Sequence, residues 1–206
     1  MKPEVGRDSA VESYEDIKGV LKGADIVFIA AGLGGGTGTG AAAIIAKAAK
    51  EIGALTVSVV TKPFTWEGKK RAGLANLGLE ELKKVSDSII IVPNDRLLEI
   101  IDENVGIKDA FKIIDNILYQ AVNGMSEVIL NPGNSDINTD FADVKTIMQH
   151  KGMALMGIGR AKGENAAQRA LEDAIDSPLL DKVSLNGAKG ILIHFNIHPQ
   201  VSLFAI

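Results

Sequence analysis

Ile26-Val27-Phe28-Ile29-Ala30-Ala31 runs directly into Gly32-Leu33-Gly34-Gly35-Gly36-Thr37-Gly38-Thr39-Gly40, and then into an alanine-rich stretch from Ala41 to Ile52. The first six residues are apolar at every position, the pattern of a strand covered on both faces. Ala41–Ile52 predicts a helix with Lys47, Lys50 and Glu51 toward solvent, and Gly53 ends it. Leu55–Val60 supplies a second strand. The connection suits a right-handed parallel crossover, so the unit is βαβ and the fold class is α/β.

The glycine segment is the strongest chemical signal. No residue from Ile26 to Ala46 is charged, which raises the question of a membrane span, but six glycines and two threonines in its middle would make a poor helix. Glycines at the end of a buried strand let the backbone approach a ligand and turn successive N–H groups inward, and the following helix offers unpaired N–H groups and the positive end of its dipole. Phosphate is the natural ligand; the plainer alternative is a turn that merely packs helix on sheet. No P-loop of the form Gly-x-x-x-x-Gly-Lys-Ser/Thr occurs, since Gly68-Lys69 has Pro63 where the first glycine belongs. Gly36-x-Gly38-x-x-Ala41 matches a dinucleotide fingerprint weakly, yet the second strand ends in Thr61-Lys62 without the acid that would bind a ribose.

Outward from this unit, Val11–Leu21 predicts a short amphipathic helix, Glu67–Val85 a helix with interior glycines, and Ser88–Val92 a strand ending at Pro93-Asn94. Asp95–Ile101 reads as a short helix. Ile107–Leu130 is a long one, with Ala110, Phe111, Ile114, Leu118, Ala121, Val122 and Met125 recurring at three and four. Asn131–Asp136 carries turn chemistry throughout and marks the domain boundary. Beyond it the pattern predicts helix Asp140–His150, strand Met153–Ile158, helix Asn165–Asp176 and strand Gly190–Ile197. Two strands make too thin a second sheet to stand alone.

Composition narrows the function. The 206 residues are 46% hydrophobic and 23% charged, as in a soluble globular protein. With no cysteine, thiolate chemistry and disulfides are excluded. His150, His194 and His198 are the only histidines; the i,i+4 pair is followed by Pro199 and has no acid nearby, so no protein-built metal centre is expected. A net charge of −4 argues against nucleic-acid binding over a basic surface, so any anion must be gripped locally.

Gly-Gly-Gly-Thr-Gly-Thr-Gly after a hydrophobic strand resembles the signature of the tubulin and FtsZ superfamily of GTPases. Further segments fall in the order found in its bacterial cell-division branch: Pro3-Glu4-Val5-Gly6-Arg7, Val60-Thr61-Lys62-Pro63-Phe64, Glu67-Gly68-Lys69-Lys70-Arg71, Pro93-Asn94-Asp95, Asp109-Ala110-Phe111, Asn138-x-Asp140-Phe141-Ala142-Asp143 and Ser177-Pro178-Leu179-Leu180. The resemblance implies a Rossmann-like parallel-sheet GTPase domain over residues 1–106, a central helix over 107–130 and a partial α+β C-terminal activation domain over 131–206. It also implies an internal fragment, without the family's first strand and early glycine loop and without its C-terminal end. Between Gly133 and Asn138 the chain is two residues longer than common family members.

Site roles follow from the same resemblance. Gly34, Gly35, Gly36, Thr37, Gly38 and Thr39 would contact the phosphates of GTP or GDP, Glu67 the ribose hydroxyls, and Arg71 the phosphate side. Lys69, Lys70 and Arg71 at a helix start oppose its dipole, which is easier to understand with an anion close by. Phe111 and Asp115 match positions that contact guanine: an aromatic face stacks on a purine, and a carboxylate accepts from guanine N1–H and its amine. By periodicity alone Phe111 would be core and Asp115 solvated. Asn138, Asp140 and Asp143 would position the attacking water, although aspartates at a helix start also serve as caps.

If Ile107–Leu130 is one helix it spans about 36 Å, so carboxylates beyond its far end cannot reach a nucleotide near its beginning in the same subunit. Hydrolysis would then use a neighbour stacked head to tail, in a homopolymer that extends into a filament. Magnesium would arrive with the nucleotide. The resemblance further implies a cytoplasmic protein at the division site, with other division proteins and membrane tethers as partners and no direct membrane insertion. The competing expectations are an assembly module that joins or caps filaments without GTP turnover, and an NAD-type oxidoreductase.

Overall fold

The computed structural model describes residues 1–98, 105–130, 141–148, 152–177, 180 and 188–196. Its sheet has the order β1 (Ile26–Gly32), β2 (Leu55–Lys62), β3 (Ser88–Pro93) and β4 (Gly152–Ala154), all parallel. Register runs from Ile26 opposite Leu55 to Gly32 opposite Thr61, and from Val57 opposite Ser88 to Lys62 opposite Pro93. β2 is buried along nearly its whole length, as a central parallel strand should be.

Period-two alternation in β2 divides the core. Val60 faces the side covered by α3 (Thr37–Glu51) and α4 (Lys69–Val85), where it packs with Val27, Ile29, Ala42, Ala46, Leu79 and Leu82. Leu55, Val57 and Val59 face α6 (Ile107–Leu130) and meet Ala121 and Met125. Leu55, Val57, Val59 and Val60 are each at most 1% exposed, worth about 1.5–3 kcal/mol apiece in area removed from water. Met125 lies with the start of β2, whereas Ile114 and Ile117 lie with Phe64 just beyond its end. α6 therefore runs antiparallel to the strands and brings its N-terminal half to their C-terminal edge.

Several expected boundaries shift, each for a physical reason. The helix after the glycines begins at Thr37 rather than Ala41, because Gly38 and Gly40 gain backbone packing that outweighs their poor helix propensity. A Cβ on Gly38 would lie 2.2 Å from the Gly32 carbonyl oxygen, and one on Gly40 would lie 2.0 Å from that of Pro3. The N-terminal helix is two, α1 (Pro3–Glu12) and α2 (Tyr14–Leu21), divided at Ser13, with Pro3 opening the first as proline does at N1. Thr65–Glu67 is a separate 3-10 turn, and Gly68, at φ 97°, divides it from α4.

α5 is Asn94–Leu97, one residue earlier than expected, and residues 99–101 of the expected helix lie outside the described residues. α7 (Phe141–Met148) and α8 (Ala166–Ile175) fall within their expected ranges. β4 covers only the start of the expected strand Met153–Ile158, since its ladder with β3 ends at Ala154 opposite Ile90. Gly190–Asn196 is not a strand: no described strand lies alongside it, and Ile191, Ile193 and Phe195 stay 48–62% exposed. Among the described residues no helix is long and apolar enough to cross a membrane.

Candidate functional site

β1, β2 and β3 end together at Gly32, Lys62 and Pro93, and their C-terminal edge is where ligands of open parallel sheets bind. The glycine loop leaves this edge first. Leu33 N–H donates to the Thr61 carbonyl at 3.0 Å, so the loop starts fixed to β2. Gly34 follows at φ 97°, a conformation costly for any residue with a Cβ. Its N–H donates to Thr39 Oγ1 at 2.8 Å within the buried interior.

The glycines divide into two groups. Gly38 and Gly40 serve close backbone packing, which is the plainer of the two sequence readings. Gly35, by contrast, has no atom within 4 Å of where its Cβ would be, so its outer face is open. Gly36 stands at the N-cap of α3, which receives no side-chain cap. The first N–H groups of a 15-residue helix are left for an anion, at the positive end of its dipole. Thr37 opens that helix, whereas Thr39 is buried and holds Gly34 through its hydroxyl.

The segment after β2 supplies the second wall. Glu67 Oε1 accepts from Phe64 N–H at 2.8 Å, and Oε2 accepts from the Arg71 guanidinium one helical turn on. The Glu67 side chain is 6% exposed and that of Arg71 41%, so the carboxylate anchors the arginine while the cation faces outward. A Cβ on Gly34 would lie 2.9 Å from the Arg71 carbonyl, which places the glycine loop directly against the start of α4. Gly34, Glu67 and Arg71 are thus brought together.

Phe111 joins them from α6. It is 39% exposed, not core, and meets Phe64 edge to face at 5.9 Å between centroids. Asp115 is one turn further along α6 and exposed. Asp143 lies elsewhere. It is exposed in the first turn of α7, whose Met148 packs with the cluster of Leu55 and Met125 at the opposite end of the strands. Asn138 and Asp140 lie outside the described residues.

Three features were not singled out as site residues. Asn94, at the end of β3, is 5% exposed and its Oδ1 is buried without a hydrogen-bond partner, an orphan acceptor at the sheet edge. Asp95 beside it accepts from Thr65 N–H at 2.9 Å and from the Thr65 hydroxyl at 2.6 Å. Trp66, 60% exposed, stacks on Phe64 at 5.3 Å. A polar residue directly after the last apolar residue of a parallel strand is the available sequence signal for Asn94; the other two depend on tertiary pairing.

Residues 1–102 match the family described as Tubulin/FtsZ family, GTPase domain, and residues 152–206 match FtsZ family, C-terminal domain. An empty FtsZ dimer from M. jannaschii superposes with a TM-score of 0.82 at 48% identity, over 87% of this chain and 52% of its own. CetZ from Methanosaeta thermophila strain DSM 6194 gives 0.71 at 24% identity, over 84% of this chain and 49% of its own, a likeness of fold. GDP-bound CetZ1 from Haloferax volcanii gives 0.62 at 20% identity, over 77% of this chain and 47% of its own. The chain spans about half the length of these solved structures. Both matched regions and the superposition lead to one assignment: the chain belongs to the tubulin/FtsZ family.

Proposed function

We propose that this chain carries the nucleotide site of a filament-forming, GTP-hydrolysing cytoskeletal protein of cell division. The carrying observation is the uncapped start of α3 with the open face of Gly35, placed on the same sheet edge as the anchored Arg71 and the exposed ring of Phe111. Backbone N–H groups of Gly35, Gly36, Thr37 and Gly38 hold phosphate oxygens, and Arg71 adds a fixed cation. Glu67 keeps Arg71 in place, and the lone pairs its carboxylate has left beside Phe64 N–H and Arg71 accept from the ribose hydroxyls. Phe111 stacks on the base, and Asp115 accepts from guanine N1–H and the exocyclic amine, donors that adenine lacks in that pattern.

Magnesium, brought with the nucleotide, would supply neutralisation of developing phosphate charge. Phosphoryl transfer to water requires positioning and charge stabilisation rather than a covalent nucleophile. Asp140 and Asp143, with Asn138, orient the water. The 24-residue α6 is about 36 Å long, which supports supply of these groups by the next subunit of a head-to-tail filament.

The same reading puts the protein in the cytoplasm, at a division ring, with tethers and division partners bound through other regions. Bacterial origin is a narrower expectation, resting on the sequence resemblance, and the structures matched at 48% identity are from M. jannaschii. Mixing tests the shared site. Asp140→Ala and Arg71→Ala proteins, each inactive alone, regain GTP turnover together, because some interfaces pair an intact nucleotide pocket with intact carboxylates. Turnover that stays at the level of the separate variants contradicts catalysis between subunits.

A further inference from the structure

We propose that Asp95 is a positioning residue for base recognition, acting through Thr65 and Phe64 on Phe111; the inference rests on the nucleotide reading above. Phe64 is the keystone. It is 2% exposed among Val92, Ile114 and Ile117, so its ring is fixed by the core, and it meets Phe111 edge to face and Trp66 face to face. Phe111 is 39% exposed, and Phe64 is its aromatic support. A ring that stacks on a base gains from being held in one orientation before the base arrives.

The backbone carrying Phe64 is pinned on both sides. Its own N–H donates to Glu67 Oε1 at 2.8 Å. The next residue, Thr65, gives both its donors to one carboxylate: N–H to Asp95 Oδ1 at 2.9 Å and hydroxyl to Oδ2 at 2.6 Å. The two residues are 30 apart in sequence and stand in the 3-10 turn after β2 and in α5 after β3, so the clasp joins two strands' ends at the site's rim. Charge-assisted, two-point bonding fixes direction as well as distance. An alanine at position 95 leaves both Thr65 donors without an acceptor, so Asp95→Ala removes the clasp, whereas an asparagine can keep it, its oxygen accepting from the N–H and its NH2 group donating to the hydroxyl oxygen.

Loss of the clasp loosens Thr65 and Trp66, while Glu67 still holds Phe64 N–H and Arg71 and the glycine loop is untouched, so the effect should fall on the base alone. Asp95→Ala is expected to weaken GTP binding about tenfold, and Thr65→Val, which keeps the N–H bond, about threefold. Thr65→Ser retains both donors and should bind as the parent does. Inorganic triphosphate, which has no base, should bind all four proteins alike. In a Phe111→Leu background Asp95→Ala should add no further loss, because the two residues act in series. Trp66 is the single tryptophan, so its fluorescence reports on this segment, and nucleotide-free Asp95→Ala protein should show a more quenchable indole.

The proposal is overturned if Asp95→Ala binds GTP as the parent does, if its loss persists in full without Phe111, or if Thr65→Ser is as weak as Thr65→Val. Failure of the parent protein to bind GTP would remove the nucleotide reading instead. Quenching of Trp66 without nucleotide would still judge the clasp, and equal quenching in parent and Asp95→Ala would end it.

Discussion

Gly35 and Gly38 are three residues apart in one loop, yet a methyl group would do opposite things at the two. At Gly38 it would sit 2.2 Å from a backbone carbonyl in β1, and neither helix nor strand can yield without opening the core. Gly38→Ala should cost about 1–3 kcal/mol, read as a lower urea midpoint. At Gly35 the space is open, so Gly35→Ala should leave the midpoint within about 0.5 kcal/mol of the parent while weakening phosphate binding. Equal stability losses would contradict the division between packing and ligand glycines. That division was not legible in the sequence, where all six glycines look alike. The exposure of Phe111 was not legible either: its spacing along α6 fits the buried row of Ile114, Ala121 and Met125, and only the end of the sheet leaves its ring uncovered.

At the scale of elements, α2 is held on α3 around Tyr14. The phenol oxygen is buried, Lys18 and Lys47 approach the ring to 5.7 and 6.0 Å, and Lys18 bonds Glu51 at 3.1 Å. Burial first, and then the Glu51 carboxylate, pushes the Tyr14 pKa up from 10.0 to about 12. The folded protein thus holds this proton more tightly than the unfolded chain. Its contribution is complete below pH 10 and is lost as the pH rises to about 12. With Tyr119→Phe, Tyr14 is the remaining tyrosine, and phenolate absorbance should rise with a midpoint near 12; a midpoint near 10 would show that the helix pair does not bury it. The apolar runs of β1, β2 and β3 and the periodicity of α6 made these elements readable from sequence. Alternation alone misled at Ile191, Ile193 and Phe195, because a strand also needs a partner to complete its ladder.

For the whole molecule, the order of elements was enough to expect a parallel sheet and a site at its C-terminal edge. The contacts that complete the site were beyond reach, since Gly34 against Arg71, Phe64 against Phe111 and Thr65 against Asp95 each join residues distant in sequence. What unites them is a claim about one ligand: this edge holds a guanine nucleotide. Equilibrium titration with labelled GTP, competed by ATP and by NAD, tests it most directly. The account predicts saturable GTP binding that GDP displaces and ATP and NAD do not, weakened about tenfold or more by Arg71→Ala. Absence of GTP binding would leave an assembly module without a nucleotide of its own, and tight NAD binding at the same edge would contradict the account outright.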